Sequence, residues 1–260
     1  MKKSFLNREK PALTCMVQAY TAERIKELVK MGKEQGADAF GMQFCKLSAE
    51  ERNPDIYREL FAAAGDAPVY VTNYRGQNNV GKTDEVLADE LLELAKCGAT
   101  LCDVMGDYFD FWGDLHDKCD GELTMNKNSI KKQMELIDRL HAAGAEVLMS
   151  SHVCKYTPAE RVLEIAMEHK KRGADICKIV TAADTVEEEI ENLRIANMLK
   201  EELGIPFLYL AGGTNHTILR RLGIKLGACM ALCVVEHDEC ATKSQPLLTH
   251  MKKIRDDLEF

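Results

Sequence analysis

Short apolar runs alternate with longer amphipathic ones along nearly the whole chain, and no other feature narrows the choice of folds as far. Read as strands, the apolar runs are Ala12–Gln18, Ala39–Phe44, Pro68–Tyr74, Thr100–Met105, Glu146–His152, Ile176–Thr181, Pro206–Ala211 and Ala228–Val235. Helix-like segments with charged outer faces cover Ala22–Gln35, Asp55–Ala64, Glu85–Lys96, Ser129–Ala143, Pro158–Arg172, Thr185–Leu203, Thr217–Leu222 and Leu247–Leu258. Several stop at a glycine in a recurring phrase: KEQGADAF, AKCGATLC, HAAGAEVL and KKRGADIC. A glycine just past a helix supplies the left-handed turn that ends it, and the next strand starts at once. Eight such units in 260 residues predict an α/β protein, a single (β/α)8 TIM barrel spanning residues 1–260. An open doubly wound sheet is the alternative, but no GxGxxG follows the first strand.

Composition excludes several partner classes. Hydrophobic residues make up 46% of the chain and charged ones 29%, enough for a sizeable core. The formal charge of −8 and a pI near 5.5 argue against nucleic acid or an anionic membrane, both of which reward clustered Lys and Arg. The N-terminal MKKSFLNREKPALTC lacks the apolar core of a signal peptide, so a cytoplasmic location is expected. Ten cysteines lie mostly inside apolar runs without a CxxC pair, which fits free buried thiols and no metal site.

The longest connection, GDYFDFWGDLHDKCDGELTMNKN after the fourth strand, carries the single Trp. It can serve as a lid at 106–128 or as a packing insert. Chemistry in such barrels gathers at the C-terminal ends of the strands. In this chain these ends carry QAY, GMQF, TNYR, DVMGD, SSHVCKYTP, CKIVT, LAGGTNH and CVVEH. Lys178 in GADICKIVTAADT and His152 therefore face the mouth from neighbouring strands.

A lysine among apolar neighbours has two readings. It can be one half of a structural salt bridge with a carboxylate from another strand. Alternatively, desolvation yields a neutral amine that attacks a ketone or aldehyde. A histidine on the adjacent strand supplies the base and acid that such imine chemistry needs near neutral pH.

VLMSSHVCKYTP followed by RGADICKIVTAADTVEEEIENL resembles the strand 5 to helix 6 region of the type I 3-dehydroquinate dehydratases. There, Ser-x-His-Asp-Phe-x-x-Thr-Pro precedes Gly-Ala-Asp-Ile-x-Lys-Ile. ILRRLGIKLGACMALC resembles the family's Ile-Ser-Arg run with its Phe-Gly segment, and ATKSQPL its Ser-Ala-Pro-Gly-Gln loop. The resemblance implies that Lys178 forms a Schiff base with a substrate ketone and that His152 moves the protons. It also implies that Arg220 grips a carboxylate and that Gln245 belongs to a loop over the site. Water would leave a β-hydroxy ketone, 3-dehydroquinate or a related carboxylated ring, without metal or cofactor. A homodimer is expected.

Departures from the family pattern fall around the substrate. Gly41, Met42 and Gln43 stand where the family has Glu-Leu-Arg, and Tyr74 stands near an arginine position with Arg75 beside it. Asp103, Val104 and Met105 replace Asp-Val-Glu, so the carboxylate that orients the family's histidine is missing. Asp103, from deeper in the barrel, and Asp107, from the loop, are the candidate replacements. Ala241 stands at a loop serine, and Val153 replaces the Asp after the histidine. Gln43 and Asp103 complete the expected substrate-binding set.

Two rival readings remain. A class I aldolase of the deoxyribose-phosphate type also sets a lysine in an Ala-Asp-x-x-Lys strand, with AGGTN as part of a phosphate cradle. A barrel that binds a small carbonyl compound without turnover would explain the missing carboxylates. His216 and then His237 are the further candidates at the mouth, whereas His116, His141, His169 and His250 lie in loops or helices without metal-ligand spacing.

Overall fold

In the computed structural model, which describes residues 3–110 and 123–260, each of the eight apolar runs forms a strand. These are β1 (Ala12–Val17), β2 (Ala39–Gln43), β3 (Val69–Thr72), β4 (Leu101–Met105), β5 (Glu146–His152), β6 (Ile176–Ala182), β7 (Phe207–Gly212) and β8 (Met230–Cys233). They alternate with α1 (Ala22–Glu34), α2 (Pro54–Ala63), α3 (Asp84–Lys96), α4 (Lys127–Ala142), α5 (Ala159–Lys171), α6 (Val186–Glu202), α7 (Thr217–Leu222) and α8 (Leu248–Asp257). Thr21, Asn53, Thr83, Asn126 and Thr185 cap the N-termini of α1, α2, α3, α4 and α6 by accepting a backbone N–H. The four phrase glycines behave as expected, with φ of +85° at Gly36, +114° at Gly98, +90° at Gly144 and +100° at Gly173.

The strands pair in parallel in the order β7-β6-β5-β4-β3-β2-β1-β8. The seam between β7 and β8 is bridged by Phe207 and Ala228, with Cys229 N–H donating to the Phe207 carbonyl at 2.9 Å. The architecture is thus the expected (β/α)8 barrel. Inward residues follow the period of two: Ala12, Tyr70, Leu101, Leu148, Ile176, Leu208 and Met230 fill the axis. Phe5 packs with them, held by its N–H to the Glu146 carboxylate at 2.9 Å. The outward residues of the same strands pack against the helices in a second layer.

Part of the connection expected as a lid, including Trp112, lies outside the described residues. Its two described ends are joined by the buried Arg172, which donates to the carbonyls of Gly106 at 3.2 Å and Thr124 at 2.7 Å. Among the described residues no helix is long and apolar enough to cross a membrane.

Candidate active site

Strand alternation sends Cys177 and Ile179 outward to the helix layer and Lys178 and Val180 inward. Lys178 thereby enters a cavity of about 270 Å3 at the C-terminal mouth of the barrel. Met16, Gln43, Tyr70, Thr72, Tyr74, His152, Val180, Leu210, Arg220, Leu232, Thr242 and Gln245 form the rest of its wall. Of the six expected site residues, Lys178, His152, Arg220, Gln245 and Gln43 meet in this one cavity.

Asp103 lies elsewhere. It is buried beneath the cavity on β4 and holds the lysine from below, with 3.2 Å between Nζ and Oδ2. Tyr70 and Tyr74 both donate to the same carboxylate oxygen, and Ser150 donates to the other. Lys178 completes its shell by donating to the Tyr74 hydroxyl at 2.6 Å and the Tyr70 hydroxyl at 3.2 Å. The structural salt bridge and the lysine at the mouth are therefore one feature: the buried ammonium is paired, as burial demands, while its nitrogen still borders the cavity. Burial, reinforced by the Asp103 charge, pushes both phenols well above the usual tyrosine range.

His152 and Lys178 are not level with each other. Lys178 pairs in register with Ser150, and His152 with Val180, so His152 stands one inward step nearer the mouth. Its ring meets the Tyr74 ring edge-on at 5.3 Å between centroids. The Asp103 carboxylate does not orient it, because its oxygens go to Lys178, Ser150 and the two phenols. Asp107 receives both oxygens' worth of contact from Arg75 at 2.9 Å, and Arg75 also clasps Asp84.

Arg220, from α7, donates its Nε–H to the Ala211 carbonyl at 2.7 Å. No acidic side chain pairs with it among the described residues. Burial pushes its pKa down to about 10, still charged at neutral pH. A charged, forked donor without a carboxylate partner inside a cavity is suited to a carboxylate ligand.

The connection from β8 to α8 crosses the mouth. His237 bonds the Gln245 carbonyl at 2.8 Å, Gln245 N–H donates to Thr242 at 3.0 Å, and Thr242 meets Gln18 at 3.1 Å. Among the described residues the buried side-chain carbonyl of Gln245 has no partner, and the same holds for the Thr72 hydroxyl. Both residues belong to the cavity wall, and buried polar groups without a partner are uncommon. Gln43 donates to Cys45 at 3.1 Å.

Sequence reasoning passed over Tyr70, Thr72, Thr242 and Met16. The inward parity of β3, which puts residues 70 and 72 in one column, was the available signal. Met16 occupies room that Gly41 frees: a Cβ at position 41 would lie 2.1 Å from its sulfur. A thioether thus fills the space that a side chain at position 41 would enter.

AGGTN is a strand-to-helix turn rather than a phosphate cradle. Thr214 N–H is taken by the Asp184 carboxylate at 3.1 Å, and a carboxylate there repels an anion. His216 bonds the Gly213 carbonyl at 2.8 Å and is not part of the cavity wall. His169 is fully buried between Ser151, 2.9 Å away, and Cys177, 3.3 Å away. The described cysteines are free thiols, and no metal-holding group of His, Cys, Asp and Glu occurs among the described residues.

Known proteins bear on this geometry. The chain is 34% identical over 114 residues to a 3-dehydroquinate dehydratase of Alkaliphilus oremlandii, covering 43% of this chain and 44% of that protein. It is 23% identical over 160 residues to one from Lactiplantibacillus plantarum, covering 61% and 58%. The chain thus matches about half the length of these curated relatives. The crystal structure of 3-dehydroquinate dehydratase from Geobacillus kaustophilus superposes with a TM-score of 0.82 at 14% identity, over 98% of this chain and 95% of that one, a likeness of fold. A profile described as type I 3-dehydroquinase matches residues 14–259, nearly the entire barrel with its mouth residues, and the chain belongs to that family.

Proposed function

We propose that this chain is a dehydratase acting on 3-dehydroquinate, or on a closely related carboxylated β-hydroxy ketone, through an imine on Lys178. One observation carries the reading: a paired but cavity-facing lysine shares one cavity of about 270 Å3 with a histidine and with an arginine that has no carboxylate partner among the described residues. Family membership supports the same chemistry.

The substrate carboxylate goes to Arg220 and its ketone to Lys178. The amine adds to the carbonyl and water leaves, giving a protonated imine that withdraws electrons from the neighbouring carbon. His152 removes the proton there. The electron pair then expels the β-hydroxyl, which takes its proton from His152 and departs as water, and hydrolysis frees the conjugated ketone and Lys178. Gln245, Thr72 and Gln43 offer neutral hydrogen bonds to ring hydroxyls in place of charged ones. The pathway to aromatic compounds through shikimate is the setting this reading implies. It takes the protein to be a cytoplasmic homodimer working without metal or cofactor.

Steady-state assay with 3-dehydroquinate tests it, followed by the ultraviolet absorbance of the conjugated product. Turnover that is lost in Lys178→Met is the expected result. Equal turnover in that variant would remove the lysine from the mechanism. The absence of product from the wild-type chain would remove 3-dehydroquinate.

A further inference from the structure

We infer that Tyr74 is a further catalytic residue, a proton carrier between Lys178 and Asp103 that drives formation of the imine. The inference rests on the reading of Lys178 as the imine-forming lysine.

Forming the imine needs proton traffic at the lysine nitrogen, because an ammonium has no lone pair to attack with. Lys178 is held by three groups, Tyr74 at 2.6 Å, Tyr70 at 3.2 Å and Asp103 at 3.2 Å. His152 belongs to the next inward step up its strand, where it suits the carbon proton. The Tyr74 hydroxyl accepts from Lys178 and donates to Asp103 at the same time, which is the geometry of a relay. Tyr70 makes the same pair of contacts with a longer reach to the nitrogen; both phenols line the cavity, Tyr70 fully buried and Tyr74 partly exposed.

Each step balances. An ammonium proton passes to the Tyr74 oxygen as the phenol's own proton passes to Asp103, leaving a neutral amine and a neutral acid. The nitrogen lone pair forms the C–N bond, and the carbonyl electron pair moves onto oxygen. A nitrogen proton then crosses to that oxygen through the Tyr74 hydroxyl. Asp103 returns its proton by the same route, the C–O bond breaks, and water leaves. The iminium cation then stands beside the regenerated Asp103 carboxylate, so the buried charge pair is the same before and after. Because burial and Asp103 raise the phenol well above its usual range, paired transfer that never produces a free phenolate is the route left open.

Glyoxylate, a small carboxylated aldehyde, with saturating cyanoborohydride reads imine formation at Lys178 by peptide mass spectrometry, whether or not 3-dehydroquinate is the substrate. Tyr74→Phe, which keeps the ring against His152, should slow labelling of Lys178 roughly 100-fold, the usual scale of positioned acid–base help. Tyr70→Phe should slow it less than about fivefold by the same reckoning. In the wild-type chain, mixtures of light and heavy water should give a bowed dependence of rate on deuterium content, the mark of two protons in flight, and this measurement needs no variant to fold. Unchanged labelling in Tyr74→Phe, an equal loss in Tyr70→Phe, or a linear deuterium dependence would each overturn the assignment. Slowed labelling in Tyr74→Phe beside a wild-type chain that ignores 3-dehydroquinate would uphold Tyr74 and sink the dehydratase reading. No label at Lys178 in the wild-type chain would overturn both.

Discussion

Lys178 on β6 and Asp103 on β4 form an ion pair of 3.2 Å across the intervening β5, with side-chain exposures of 5% and 0%. Removing one partner of such a pair strands a buried charge, at a cost of about 3–5 kcal/mol. Asp103→Asn and Lys178→Met should each lower stability by about that much, whereas the double variant should recover most of the loss. Urea unfolding of the four chains checks this. Additive losses in the double variant would mean that the two residues are not energetically paired.

The proposed reading gives Arg220, in the cavity wall, the substrate carboxylate. Arg220→Ala removes a charge-assisted contact of about 1.5–3 kcal/mol and should raise KM roughly 10- to 100-fold for a carboxylated ketone. Labelling of Lys178 by an uncharged aldehyde should change little. An equal loss for both classes would count against a carboxylate subsite.

His169 gives the fold a pH dependence with a definite sign. Burial, with help from the Arg172 charge, pushes its pKa from 6.5 down to about 3. The folded value lies below the unfolded one, so the unfolded chain binds the extra proton between these limits. Stability from the neutral ring is complete above about pH 6.5 and is lost as pH falls toward about 3, at about 1.4 kcal/mol per pH unit. His169→Gln, which can still bond Ser151, should show a shallower loss of stability than wild type between pH 6 and 4, by roughly that slope. Parallel curves would show that His169 is not the titrating group.

Gly41 and Met16 share one space. A methyl group at position 41 would meet the Met16 sulfur at 2.1 Å and its terminal carbon at 2.8 Å, so Gly41→Ala must push the thioether into the cavity. Overpacking of this kind costs about 1–3 kcal/mol. The penalty should disappear when Met16→Ala is combined with it. A penalty that persists in the double variant would locate the strain in the β2 backbone instead.

The barrel was legible because its signals are local. Strand period, helix caps and the left-handed glycines after α1, α3, α4 and α5 each depend on a few neighbouring residues. Strand boundaries agree to within one or two residues along most of the sheet, with β3 and β8 shorter than their apolar runs. Lys178 and His152 were legible as inward residues for the same reason. Their relative height was not, because it depends on inter-strand register, which pairs Lys178 with Ser150. The partners of Asp103 come from β3, β5, β6 and the segment after β3, a convergence fixed by barrel stagger rather than by sequence spacing. Tyr74 was visible only as a substitution in the family pattern, and its closeness to the lysine nitrogen needed the fold.

Intact-protein mass spectrometry after incubation with 3-dehydroquinate and borohydride, with the adduct mapped by digestion, tests the central claim most directly. The account predicts one reduced adduct per chain, carried by Lys178, with the conjugated product accumulating when borohydride is withheld. An adduct on another lysine, or none, would contradict it.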